Sequence, residues 1–194
     1  MHTGGRSRRL ATAFRWARLL VVALMLPAGA ALAAESPIRT IAVAYDGETY
    51  VVTAVMFAPV SQAVAWDVLT DFDRMAKWVP NVTESRVVKR EEGVVTIEQR
   101  GTARFGAASF PYVTERRIET KPPGAIKTTQ IKGSLKKVES SIALGPDGKG
   151  TKIDYRLEIV PSFFTAAIMS QRFLEHEVTE QFTAIVGEMV RRTP

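Results

Sequence analysis

Residues 165–192 have the sequence TAAIMSQRFLEHEVTEQFTAIVGEMVRR, and the rest of the chain is arranged around this segment. Its apolar residues recur every three or four positions, the spacing of a helix with one buried side. At about 1.5 Å per residue, such a helix is about 40 Å long and crosses a small domain. We therefore predict one long C-terminal helix lying in a curved sheet. The apolar stripe consists of Phe164, Ile168, Leu174, Val178, Phe182, Ile185 and Met189, widened by Met169, Phe173, Val186 and Val190.

The start of this helix follows a proline. Pro161 ends the preceding strand, and Ser162 or Thr165 can cap the helix. Gln171 is a polar residue on the stripe, and the sequence leaves open whether it lies at the edge of the stripe or faces a cavity.

The opposite side of the helix is charged. His176 lies two positions from both Leu174 and Val178 and therefore points away from the buried stripe. It aligns with Arg172 and Glu180 on a face that we predict to be solvated. Glu175, Glu177 and Glu180 are all expected on this exposed side.

The N-terminal segment has the order of a secretory signal. Five arginines and no acidic residue precede the apolar run Leu19–Leu26, and Ala31–Ala33 offers a small-residue cleavage site. The apolar run is short for a membrane span. We predict that residues 1–33 are a signal peptide and that the protein is exported to the periplasm; an uncleaved signal acting as an anchor is the alternative.

The net charge must be judged without that segment. The 194 residues include 26 Lys and Arg against 20 Asp and Glu, a formal charge of +6. Residues 34–194 retain 21 basic and 20 acidic residues, a charge of +1. The basic balance therefore gives no indication of nucleic-acid binding.

The sequence lacks the residues that several kinds of catalytic site require. The chain has no cysteine, and its two histidines are His2 and the outward-facing His176. Zinc sites and Cys/His or Ser/His catalysis are therefore not expected. Asp71 and Asp73 have the spacing of turn and cap residues and not of an acid/base pair. We predict no metal, no cofactor and no catalytic residue.

Turn signals divide the remaining sequence into strands and two short helices. Thr40–Tyr45 and Thr49–Phe57 form a predicted hairpin around a tight Asp46-Gly47 turn. A helix capped by Ser61 and a second helical segment, Asp71–Trp78, follow. From Val82 onward, alternation and turn residues predict five or six antiparallel strands.

This order of elements leads to a family resemblance. The segment AWDVLTDFD at residues 65–73, followed by WVPNV at residues 78–82, resembles the opening motif of the START-like (SRPBCC) superfamily. The strand GTKIDY at residues 150–155 is also similar. The nearest resemblance is to exported proteins of the polyketide cyclase/dehydrase and coenzyme-Q-binding START-domain group.

The resemblance implies an α+β helix-grip fold. In it, a curved antiparallel sheet wraps around a long C-terminal helix, with two short helices near the N-terminus and an apolar cavity between sheet and helix. The predicted domains are then the signal at 1–33, a tether and extra strand at 34–48, and the START-like ligand-binding domain at 49–192.

The inward faces of the predicted strands supply the candidate site. Gly101 and Ala103 are small where a packed core prefers bulk, which leaves room for a ligand. Arg116 needs an anion or a carboxylate if it is buried; a register slipped by one residue would place Arg117 inward instead. Trp78 either closes the cavity or belongs to the core. The predicted cavity residues are Trp78, Gln99, Tyr112, Arg116, Gln130, Tyr155, Gln171, Leu174 and Val178.

Three functions remain open at this point. The first is non-catalytic carriage or sensing of a hydrophobic small molecule, such as a lipid or a quinone-like isoprenoid, with transient membrane contact. The second is a cyclase or dehydratase acting on a polyketide-like substrate. The third is a protein-interaction module with a vestigial cavity. The sequence does not indicate the ligand or the oligomeric state.

Overall fold

The computed structural model describes residues 36–167 and 169–193, except for the side chains of Phe105 and Ala108. The predicted signal peptide and its cleavage site at Ala33 lie outside these residues.

Eight strands form one antiparallel sheet, as the hairpin and the later strands predicted. The strand order is β1-β2-β8-β7-β6-β5-β4-β3, so that β1 and β3 are the two edges. The strands are β1 (Ile38–Tyr45), β2 (Tyr50–Ala58), β3 (Val82–Glu91), β4 (Val94–Phe105), β5 (Ala108–Lys121), β6 (Ala125–Gly133), β7 (Lys137–Asp147) and β8 (Gly150–Val160).

The first hairpin has a longer connection than predicted. Residues 46–49 separate β1 from β2, where a two-residue turn was expected. The carboxylate of Asp46 accepts hydrogen bonds from the backbone N–H groups of Glu48 at 3.0 Å and Thr49 at 2.8 Å. Gly47 has a φ of +104°, a conformation that favours glycine. The Asp-Gly pair therefore does form the turn, inside a four-residue loop.

Two short helices connect β2 to β3. Helix α1 spans Gln62–Leu69 and is capped by Ser61, whose side chain accepts from the N–H of Val64 at 3.4 Å. The predicted second segment is a 3₁₀ helix, Phe72–Lys77. Both predicted helices are confirmed, at slightly different bounds.

The predicted single C-terminal helix is two helices. Helix α2 spans Phe163–Ala166, and α3 spans Gln171–Arg191. Ser170 caps α3 by accepting from the N–H of Phe173 at 3.1 Å, and its extended backbone (φ −145°, ψ 162°) cannot continue a helix. The apolar spacing runs through this break, so periodicity alone could not reveal it.

Helix α3 packs on the sheet with the predicted stripe, contacting β1, β2, β4 and α1. Each fully buried large side chain stabilises the fold by about 1.5–3 kcal/mol. Two predicted stripe residues are instead exposed: Phe164 at 87% and Val190 at 48%. Ile168 lies outside the described residues, and Met169 and Ile185 are half-buried. The buried members are Phe173, Leu174, Val178, Phe182, Val186 and Met189.

The architecture is the α+β helix grip that the resemblance implied, an eight-stranded antiparallel sheet with the long C-terminal helix packed on it. Among the described residues, we find no helix with the length and apolar character needed to span a membrane.

Candidate functional site

A cavity of about 220 Å³ lies between the inner face of the sheet and α3. Small-molecule pockets usually measure about 300–1,000 Å³, so this cavity suits a slender chain or a compact ring. Its walls are mainly apolar and come from β3 to β8 and from α2 and α3. Apolar lining residues include Phe110, Leu135, Val138, Leu157, Ile159 and Phe173.

A second hollow, of about 510 Å³, lies against strands β5 to β8. Half of its lining residues are charged, among them Lys121, Lys127, Glu139, Asp154 and Arg156. This lining does not suit an apolar ligand, so the first cavity is the candidate site.

Arg116 brings a positive charge to the wall of the first cavity. Its Nε–H is buried without a hydrogen-bond partner, and no ion pair of Arg116 is found in the part of the chain that the structure describes. Burial lowers the pKa of Arg116 below its ordinary value, although an arginine remains protonated in proteins. Arg117, the alternative inward residue, is exposed and pairs with Glu119. The unslipped register is therefore the observed one.

Two tyrosines flank Arg116 in the cavity wall. The hydroxyl of Tyr112 donates to the backbone oxygen of Asn81 at 3.1 Å, and the ring of Tyr155 packs on Phe182 at 4.8 Å between centroids. Burial raises the pKa of both phenols to about 12, with Arg116 acting in the opposite direction. Both hydroxyls are therefore neutral hydrogen-bond donors near pH 7.

Two glutamines in the lining form hydrogen bonds with other groups of the protein. Gln99 is buried, and its Nε2 donates to Oγ of Ser85 at 2.9 Å and contacts Sδ of Met75 at 3.3 Å. Gln130 donates through Nε2 to the backbone oxygen of Leu135 at 2.9 Å. Their side-chain amides thus help to fix the cavity wall, and their role toward a ligand stays a prediction.

Four predicted cavity residues remain to be located, of which two line the cavity and two do not. Leu174 and Val178 line the cavity from α3. Gln171 is exposed and donates to the backbone oxygen of Val43 at 3.0 Å, because α3 begins at this residue and its first turn lies over the edge strand. Trp78 lies outside the lining, and the guanidinium of Arg192 stacks on its ring at 4.6 Å. It belongs to the contact between the 3₁₀ helix and the end of α3.

Gly101 does not provide the room that its small size suggested. A Cβ atom at this position would come within 1.9 Å of the backbone oxygen of Asn81 and 2.5 Å of the Tyr112 hydroxyl. The missing side chain therefore allows the Asn81 backbone to approach β4 and does not make space for a ligand. Ala103 does line the cavity.

The sequence reasoning missed a buried polar pair. Glu177 was predicted to be exposed with Glu175 and Glu180, but only the latter two are exposed. Glu177 is 5% exposed and lines the cavity, where its carboxylate accepts from Nδ2 of Asn81 and from the N–H of Arg104 at 3.3 Å. Oδ1 of Asn81, which also lines the cavity, is buried without a partner.

A signal for Glu177 was present in the helix pattern. It lies four residues after Phe173 and three after Leu174, so both rows of the stripe lead to it. Burial raises the pKa of Glu177 above its ordinary value, and the hydrogen bonds from Asn81 and Arg104 oppose the shift.

Glu177 also belongs to a group that could be considered for a metal. Ligand-type atoms of His176, Glu177 and Glu180 lie within 4.8 Å of one another. The Glu177 carboxylate is occupied by Asn81 and Arg104, while His176 and Glu180 are exposed. Such a grouping does not by itself make a metal site.

Solved structures of low sequence identity share this fold. A START superfamily protein from Mycobacterium smegmatis superposes with a TM-score of 0.64 at 14% identity, over 74% of this chain and 99% of that one. The Zhui aromatase/cyclase from Streptomyces sp. R1128 gives 0.63 at 14% identity, over 74% and 95%. A STAR-related lipid transfer protein from Xanthomonas axonopodis gives 0.56 at 14% identity, over 77% and 98%.

No curated protein matches the sequence. Residues 58–186, about two thirds of the chain, match the family described as polyketide cyclase / dehydrase and lipid transport. This segment runs from the end of β2 to α3 and includes every element that lines the cavity. The chain belongs to the polyketide cyclase / dehydrase and lipid transport family.

Proposed function

We propose that this protein binds a hydrophobic small molecule, such as a lipid or a quinone-like isoprenoid, in the cavity between sheet and α3, and carries or senses it without chemical change. The family includes proteins named for lipid transfer as well as for cyclase activity. The observation that carries the choice is the unpaired Arg116 in a mainly apolar cavity.

The argument rests on the free energy of a buried charge. An isolated charge in a low-dielectric site is costly unless it is paired or hydrogen-bonded. Arg116 lacks an ion pair within the described residues, and the neutral phenol of Tyr155 beside it has a proton to donate to a ligand oxygen, whereas the Tyr112 hydroxyl already donates to Asn81. A ligand with an apolar body and an anionic or carbonyl oxygen would complete the interactions of Arg116 and Tyr155.

The proposed location is the periplasm. The support is the basic, apolar and small-residue order of residues 1–33. N-terminal sequencing of the protein isolated from its own cells tests this: a mature chain that begins near Ala34 supports export, whereas an intact Met1 together with fractionation into the cytoplasm opposes it.

The direct test is native mass spectrometry of the protein purified from its own source, followed by solvent extraction. A bound lipid or isoprenoid of defined mass is the expected result, and its extraction identifies the ligand class. A mass equal to the protein alone, together with no calorimetric binding of octanoate, contradicts the proposal and favours an interaction module with a vestigial cavity.

A second candidate is favoured by Glu177. A buried carboxylate with a raised pKa on the cavity wall is a typical general base, and Tyr155 in the same wall is a neutral phenol that can donate a proton in a hydrogen bond. In this candidate function, Glu177 would remove a proton next to a ketone and a phenol would stabilise the resulting enolate oxygen, which promotes ring closure with loss of water. Incubation with a linear poly-β-keto thioester tests this function: product formation that Glu177→Gln abolishes supports the enzyme, and an unchanged substrate supports the carrier.

A further inference from the structure

The most exposed large apolar side chains of the described residues form a pair on α2. Phe163 is 90% exposed and Phe164 is 87% exposed, and their rings meet edge to face with centroids 5.7 Å apart. The other exposed large hydrophobic residues in the described ranges are only 40–52% exposed. This aromatic pair therefore stands apart from ordinary surface hydrophobics.

The local backbone holds the pair outward. Ser162 and Thr165 form a capping box, in which the N–H of Ser162 donates to Oγ1 of Thr165 at 2.8 Å. Thr165 lines the cavity, so this side of α2 faces inward. Phe163 and Phe164 occupy the first two positions of the helix and project from its other sides. Their exposure thus follows from how α2 is capped.

The pair lies beside the mouth of the cavity. The exposed Ser134, in the loop after β6, and Thr165, on α2 beside the pair, both line the cavity, which places its opening at this end. The loop after β6 is tied to both neighbours there. The N–H of Ser134 donates to the oxygen of Val113 at 3.1 Å, and the N–H of Lys136 donates to the oxygen of Val160, three residues before Phe163.

We propose that Phe163 and Phe164 insert into the surface of a lipid bilayer and thereby place the cavity mouth against the membrane. Two phenyl side chains offer about 150–250 Å² each, well below the roughly 800 Å² per partner of a standard protein interface. A second copy or another protein would need a larger matching surface. A bilayer needs no matching surface, and aromatic rings are favoured at its boundary.

Charge makes a smaller contribution to this contact. Lys132 in β6 pairs with Glu115, and Lys136 in the following loop pairs with Glu48, each at 2.8 Å. Because each of these lysines has an acidic partner, we expect the apolar pair to carry the interaction and anionic lipid not to be required. The inference goes beyond the proposed function and rests on it only for the idea that the ligand is taken from or given to lipid.

The test is flotation of the protein with phosphatidylcholine vesicles at low and high salt. The double variant Phe163→Ser/Phe164→Ser should bind at least tenfold more weakly than the unaltered protein at both salt concentrations. The matched control is Val190→Ser, which removes a 48% exposed apolar side chain near the end of α3 and should bind as the unaltered protein does. All forms are prepared as the mature chain beginning near Ala34, so the difference between them reports the contribution of Phe163 and Phe164.

Three outcomes overturn the inference: no vesicle binding by the unaltered protein, equal binding by the double variant, or a dimer in sedimentation that the double variant loses. Circular dichroism checks folding, and Phe163→Trp gives a second readout, since brominated phosphatidylcholine should quench an inserted indole. Octanoate binding in solution should not change in the double variant. If the protein binds octanoate but not vesicles, the docking inference alone is rejected. If it binds vesicles but not octanoate, the proposed function alone is rejected.

Discussion

Asn81 donates a hydrogen bond through Nδ2 to Oε2 of Glu177, and both side chains are buried in the cavity wall. The contact joins the segment after the 3₁₀ helix to the middle of α3, 96 residues later in the chain. Burial raises the pKa of Glu177, so the folded state holds a proton more tightly than the unfolded chain does. The fold is therefore less stable when Glu177 is ionised than when it is protonated.

The first prediction concerns the pH dependence of that contribution. Because the folded pKa of Glu177 is raised, stability from this group is full below the unfolded pKa of about 4.3 and falls as pH rises through the folded pKa. The slope cannot exceed about 1.4 kcal/mol per pH unit for one group. Glu177→Gln should remove this fall, which urea denaturation between pH 4.5 and pH 7.5 measures.

The Gln variant should also keep its hydrogen bonds. Rotation of the Asn81 amide would let its unpartnered Oδ1 accept from the new side-chain amide. Glu175→Gln, on the exposed side of the same helix, is the control and should leave the pH profile unaltered. A Glu177→Gln profile identical to that of the unaltered protein would contradict the prediction.

The second prediction compares two glycines. Gly101→Ala should destabilise the protein by about 1–3 kcal/mol, because its Cβ would meet the backbone oxygen of Asn81 and the Tyr112 hydroxyl and force them apart. Gly187→Ala is the control: nothing lies within 4 Å of its Cβ, and alanine in a helix should stabilise by about 0.5–1 kcal/mol. Equal effects of the two substitutions in thermal or urea unfolding would reject this account of Gly101.

The third prediction concerns the end of α3. Arg192 donates to Glu188 and to Asp71, each at 2.7 Å, and so ties α3 to the start of the 3₁₀ helix. Arg192→Met should cost about 1–3 kcal/mol, since charge-assisted hydrogen bonds at a mostly buried position are lost. Arg191→Met is the control; its side chain is 71% exposed, so solvent screens its ion pair and a clearly smaller cost than that of Arg192→Met is expected. Chemical denaturation measures both.

The stabilisation that this ion cluster provides is lost at low pH. Hydrogen bonds from Arg191 and Arg192 lower the pKa of Glu188 to about 2, so its contribution is present above the unfolded pKa of about 4.3 and is lost as pH falls toward 2. The cost of Arg192→Met should therefore shrink below pH 4. A cost that stays constant down to pH 2 would show that stacking on Trp78, and not the ion pairs, provides the stabilisation.

The sequence predicted those features that depend on local periodicity. Strand alternation identified the inward faces of β4 and β5, and with them Gln99, Tyr112 and Arg116. Helical spacing identified Leu174 and Val178. In each case the residue's neighbours in sequence determine which way its side chain faces, so no knowledge of distant contacts was needed.

Two of the features that the sequence did not predict depend on contacts between distant segments, and a third depends on the conformation of one residue. Glu177 is buried because Asn81 and the backbone of Arg104 satisfy its carboxylate, and neither partner lies near it in sequence. Gly101 is small because a loop approaches it, which alternation cannot distinguish from an empty cavity. The break before α3 depends on the conformation of Ser170, a residue type that helices also contain.

The last prediction tests the proposed ligand chemistry through Arg116. Arg116→Met keeps an apolar side chain of similar length but removes the unpaired charge. Octanoate, which has an anionic head, should then bind at least tenfold more weakly, about 1.4 kcal/mol. Octan-1-ol, the uncharged counterpart, should bind about equally to both forms, and isothermal titration calorimetry compares the two.

Arg117→Met is the matched control, because the adjacent side chain points outward and pairs with Glu119. The free energy of unfolding of the ligand-free Arg116→Met variant should not fall, since a half-buried charge with a buried, unpartnered Nε–H and no ion pair in the described residues is replaced by an apolar group. Unfolding of this variant, or equal loss of octanoate binding in Arg117→Met, would contradict the placement of Arg116 as the ligand's charge partner.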